Sequence, residues 1–159
     1  MNQTPPVLLN FSPPNQNLSF MNMKVIYAAL AGAVAYFLLG WLVWGTLLMD
    51  FMEANSTHYP GLMKEEPMLG LYFLSNLAIS FMLAYVFHQW AGFRTAARGA
   101  WGGLLIGACI VISYDLMFFG GMNMFNSKAM AVDIIAGTLV LGIVGAVIGW
   151  VLGLGKKPA

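Results

Sequence analysis

Two carboxylates, Asp115 and Asp133, stand inside long apolar stretches of this chain, in Tyr114-Asp115-Leu116-Met117 and Val132-Asp133-Ile134-Ile135. Hydrocarbon makes a charge expensive, so an acid in such surroundings is a functional-site candidate by default. Two carboxylates close together cannot both ionise cheaply and tend to share one proton. That chemistry suits proton-linked transport or the binding of a small cation. A structural role is the competing expectation. Asp133 falls in the first turns of its helix, where a carboxylate accepts from free N–H groups and favours the helix dipole. Asp115 would then bond to a Tyr or Asn across the bundle.

Other chemistry is sparse. His58 lies in a loop and His88 at the far end of an apolar run, so they cannot share an ion within one chain, and no metal site is expected. No glycine-rich phosphate loop, HExxH pair or nucleophile elbow occurs. Ser80, Ser113 and Cys109 have no histidine at a suitable depth to activate them. Cys109 reads as a small packing residue. The expectation is a protein that is not an enzyme and uses no cofactor.

The elements that must position the two acids follow from composition. Of 159 residues 60% are hydrophobic and 8% charged, against about 25% charged in soluble domains. Apolar runs cover roughly 25–49, 68–90, 100–119 and 129–152, each long enough for the roughly 20 residues that cross a bilayer. The fold class is therefore all-α: a four-helix transmembrane bundle, up-down-up-down, with helices at about 25–50, 67–90, 99–120 and 129–153. Residues 24–155 form the membrane domain and 156–159 a basic tail. Residues 1–23, rich in Pro and Asn, read as a disordered tail or an over-long gene start, since Met21-Asn22-Met23-Lys24 resembles a natural start. Pro67 suits the first turn of the second helix. The net charge of +1 offers no basic stripe for nucleic acid. Lys24, Arg94, Arg98, Lys156 and Lys157 gather at one side, which predicts both termini in the cytoplasm and the 50–67 and 120–128 loops outside.

Depth connects the acids. Counting about 1.5 Å per residue, Asp115 lies about 9 Å and Asp133 about 6 Å inside the outer surface. Asp50 ends the first run at a similar level, and Asn76 lies somewhat deeper. An outward-opening polar pocket lined by Tyr114, Asp115, Asp133, Asn76 and Asp50 is expected. Lipid helices pack through small residues, which selects Gly103 and Gly107 in the third run and Gly145 and Gly149 in the fourth. Those stripes either hold the monomer together or build a homo-oligomer. Trp41, Trp44, Tyr72, Trp90, Trp101 and Trp150 read as interfacial anchors, and His88 as a helix-end cap near Arg94.

The chain resembles a family of small uncharacterised four-helix bacterial integral membrane proteins, a domain of unknown function. The resemblance rests on Gly40-Trp41-Leu42-Val43-Trp44-Gly45-Thr46-Leu47, on Asp133-Ile134-Ile135-Ala136-Gly137 and on Gly145-Ala146-Val147-Ile148-Gly149-Trp150. The family often has Tyr then Gly-Pro where this chain has Trp44-Gly45-Thr46, and a His shortly after the fourth-helix acid where this chain has Thr138 and Leu139. The resemblance implies the fold and a multi-pass location in the bacterial inner membrane, and no activity. The first functional expectation is a structural or accessory membrane component whose partner is the lipid bilayer; the alternative is a small proton- or cation-coupled carrier or channel using Asp115 and Asp133.

Overall fold

The computed structural model describes residues 23–62 and 64–155. The expected N-terminal tail, apart from Met23, and the basic tail lie outside the described residues. Helix α1 spans Met23–Leu42 and continues as a π-helical turn, Val43–Leu47. A short helix, α2, covers Met49–Asn55. Helix α3, Leu69–Val86, likewise runs into a π-helical turn, Phe87–Ala91. Helices α4, Ala96–Gly121, and α5, Ser127–Gly153, complete the chain. Four of these segments, counting the π-turns, are 25, 23, 26 and 27 residues long and apolar enough to cross a membrane.

Several local expectations need correction. The first apolar run is not one α-helix to residue 50. Its end widens at Trp44-Gly45-Thr46, where Leu48 N–H donates to the Val43 carbonyl five residues back at 2.7 Å. The segment after it is helical as α2 rather than wholly loop. Pro67 stands outside α3, its carbonyl accepting from Leu69 N–H at 3.0 Å. Helix α4 starts earlier than expected because Thr95 caps it, its hydroxyl accepting from Arg98 N–H at 3.3 Å. Cys109 is exposed on the outward face of α4 instead of packed.

Helix α5 is the centre of the bundle. It packs on α4, α1 and α3, while α1 and α3 form the first hairpin; α4 packs chiefly on α5. The core of α1, α3 and α5 is built from Val25, Ala28, Ala29, Leu83, Ala84, Phe87, Leu141, Val144, Ile148 and Leu152. Alanines on α1 let that helix approach closely, and Leu, Ile and Phe from the other two fill the space between. Large apolar side chains on the outer faces, such as Leu38, Leu71, Leu105 and Ile135, remain exposed, as suits helices whose solvent is lipid.

The α4–α5 interface is closer. A methyl group at Gly103 would fall on the Leu141 carbonyl oxygen, and one at Gly145 on that of Gly99. At Gly149 it would meet the Thr95 carbonyl oxygen at 2.5 Å, and at Gly107 the Leu141 Cβ at 2.5 Å. The predicted glycine stripes are thus filled from within the same chain.

The loops at the acid-bearing end are joined as well. Ser56 and Phe125 form an isolated antiparallel bridge. Thr57 N–H donates to Met124 O at 2.7 Å and Asn126 N–H to Asn55 O at 3.0 Å. Asn126 also caps α5: its Oδ1 accepts from Lys128 and Ala129 N–H, each at 3.0 Å, and its Nδ2 donates to Asn55 Oδ1 at 2.8 Å. These bonds hold the end of the first hairpin against the start of α5, one helical turn and a half before Asp133.

Candidate functional site

Asp115 stands six residues before the end of α4 and Asp133 six residues after the start of α5. At about 1.5 Å per residue both lie about 9 Å inside the helix ends. The short turn between the helices makes them antiparallel neighbours, so equal sequence offsets become equal depth. The two carboxyls meet within hydrogen-bonding reach of one another. Asp115 is buried, with 6% of its surface exposed, and its Oδ2 has no hydrogen-bond partner among protein donors. A bond between the two carboxyls therefore needs a proton on one of them.

The second polar partner comes from the π-turn. Trp44 Nε1–H donates to Asp133 Oδ1 at 2.5 Å. The donor is charge-assisted when Asp133 is ionised, which strengthens the bond. Tyr36, two helical turns before Trp44 on α1, is near enough to Asp133 to feel its charge. Three helices thus converge on Asp133: α4 through Asp115, α5 through Asp133 itself, and α1 through Trp44 and Tyr36.

The expected pocket is only partly assembled. Asp115 and Asp133 come together as the spacing predicted. Tyr114 does not join them: it is exposed and stacks on Phe118 at 6.3 Å. Adjacent helical residues point about 100° apart, so Tyr114 cannot face α5 when Asp115 does. Asp50 is exposed in the first turn of α2 and makes no hydrogen bond to either carboxyl among the described residues. Asn76 faces a groove between α1 and α3 that it shares with Trp44 and Tyr36; it makes no hydrogen bond to either carboxyl.

Two residues escaped the reading of the sequence, Trp44 and Tyr36. Of the six aromatic residues expected as interfacial anchors, Trp41, Tyr72, Trp90, Trp101 and Trp150 are exposed near helix ends. Trp44 alone of that group turns inward as a donor. The available signal was its position at the level of Asp133 beside a glycine, where an indole N–H can reach a buried acceptor.

At the opposite end His88 lies in the second π-turn beside Arg94 and Lys24. It does not cap the helix as expected: its Nδ1 is buried without a partner, and Gly92, in left-handed conformation at φ 62°, closes the turn through its N–H to Phe87 O. Among the described residues no group of three His, Cys, Asp or Glu side chains is placed to hold a metal ion. No known protein family, curated protein or solved structure matches the chain.

Proposed function

We propose that this multi-pass membrane protein is a small, non-enzymatic carrier that loads a proton or a small cation at the Asp115–Asp133 pair. The observation that supports it is the Asp115 carboxyl, buried against a second carboxyl with one oxygen unpartnered. A group in that setting is stabilised by taking up a proton or a cation and is costly without one. Reconstituted in liposomes with an internal pH-sensitive dye, the parent chain is expected to pass protons under an imposed potential. Asp115→Asn is expected to lower that flux at least tenfold while still folding. A parent chain with no flux above empty liposomes would refute the carrier.

A structural or accessory role is the second reading, and the Trp44–Asp133 hydrogen bond favours it, since it ties α1 to α5. In that case the aspartates hold the helices together, and their loss shows as lost accumulation in the membrane with no flux to lose.

The carrier reading carries an orientation and a location. Both termini are assigned to the cytoplasm on the distribution of Lys and Arg, and the membrane to the bacterial inner membrane on the resemblance to the four-helix family. On intact cells, in a Cys109→Ser background, a cysteine at Ser56 is expected to react with an impermeant maleimide and one at Thr95 to be protected. The reverse pattern would invert the orientation.

A further inference from the structure

A groove opens not between the carboxyls but on the far side of Trp44 from them. It opens between α1 and α3 with a volume of about 640 Å³, and five aromatic side chains line it: Tyr36, Phe37, Trp41, Trp44 and Tyr72. Besides the Tyr36 and Tyr72 phenols its polar groups are Ser75 and Asn76, and among the described residues no Lys or Arg lines it. The volume is within the range of small-molecule sites. The α1 wall is cut back there by two glycines: a Cβ at Gly40 would meet nothing within 4 Å, and one at Gly45 would have the Trp41 ring as its nearest contact, at 3.2 Å.

Two of its walls connect it to the acid pair. Trp44 presents its ring to the groove while its Nε1–H donates to Asp133, and Tyr36 lines the groove while lying within the field of the same carboxylate. Aromatic faces attract cations, and the attraction grows when water is excluded. Negative charge behind two of those faces adds to it, and in low dielectric it is weakly screened. An anion would meet the same groove with repulsion from the carboxyls and no positive partner. A long apolar chain would leave Ser75 and Asn76 unused.

We propose that this groove binds a lipophilic organic cation, of the quaternary ammonium or phosphonium class, as the substrate that competes with the proton held by Asp115 and Asp133. The proposal rests on the carrier reading and supplies its substrate class. The cation enters from the lipid side between α1 and α3, where Trp41 and Tyr72 are exposed, and seats against Trp44 and Tyr36. Binding stabilises the ionised pair, and the displaced proton leaves to the aqueous side.

The test is equilibrium binding of radiolabelled tetraphenylphosphonium to the full chain in nanodiscs. Saturable binding is expected at one site per chain, weakened at least tenfold by Asp133→Asn. The double change Trp41→Ala with Tyr72→Ala, at exposed positions that leave the acid pair intact, is expected to weaken it to a similar degree. Neutral triphenylphosphine oxide is expected not to displace the cation. Absence of saturable binding, full affinity in either variant, or displacement by the neutral compound would overturn the proposal. Proton flux in the parent chain without such binding would remove the substrate and leave the carrier; absence of both would remove the two together.

Discussion

Leucine at Gly145 is expected to prevent the chain from accumulating as a folded membrane protein, and alanine there to lower its stability by roughly 1–3 kcal/mol. The Gly145 backbone lies against the Gly99 carbonyl and against Gly103, whose Cα is 2.8 Å from where a Cβ would stand. Backbone atoms at such a contact cannot rotate out of the way as a flexible side chain could. The helices must separate, and in lipid no hydrophobic gain compensates for the lost van der Waals contact. Separation also parts the two carboxyls, because Asp115 and Asp133 belong to these same helices. Unfolding in mixed micelles, followed by tryptophan fluorescence, measures the cost. Gly120→Ala is the control: an added Cβ there meets nothing within 4 Å, and it is expected to be neutral or slightly stabilising. Equal stability of Gly145→Leu and the parent would show that the helices do not approach so closely.

The second large effect separates the members of the carboxyl pair. Trp44→Phe keeps the aromatic bulk but removes the N–H that Asp133 Oδ1 accepts at 2.5 Å. Leaving a half-buried carboxylate short of a donor costs about 1–3 kcal/mol, and this loss is expected in the same unfolding experiment. Asp115→Asn is expected to cost far less, since its amide can donate to Asp133 where the shared proton did. The pair Trp44→Phe and Asp133→Leu gives the discriminating cycle. Removing both partners is expected to cost less than the sum of the separate changes. Simple additivity of the two would show that the hydrogen bond contributes nothing to holding α1 on α5.

The membrane helices were legible because lipid imposes a long apolar run on each, and their order followed from the turns between them. The common depth of Asp115 and Asp133 was legible for the same reason, since helical rise converts sequence offset into distance. Direction around the helix was harder. In a soluble helix the polar face shows which way a residue points; here lipid-facing and buried faces are equally apolar, so nothing in the pattern turned Tyr114 outward and Asp115 inward. The glycines were the exception. Gly103 and Gly145 mark a face by their size, and they do mark the α4–α5 contact. The fate of Trp44 depended on a π-turn, which has no sequence signature of its own. Asp50 lies beyond the same turn, in a short helix of its own that the apolar run did not announce. The joining of residues 55–57 to 124–126 is a pairing between distant loops, and no local pattern announces such a contact.

The π-turn at Val43–Leu47 has a consequence for evolution by insertion and deletion. A bond spanning five residues where an α-helix spans four accommodates one additional residue in the wall of the helix. Loss of one residue within the turn would let α1 close up as regular α-helix, and the residues beyond would keep their azimuth, because the widened turn already absorbs the extra residue. Only Trp44, inside the turn, would change its heading. The same single-codon deletion a turn earlier, in regular α-helix, would rotate everything beyond by about 100° and swing Asn55 away from Asn126. Along the first span, Val43–Leu47 is therefore the segment where a change of length disturbs the loop pairing least.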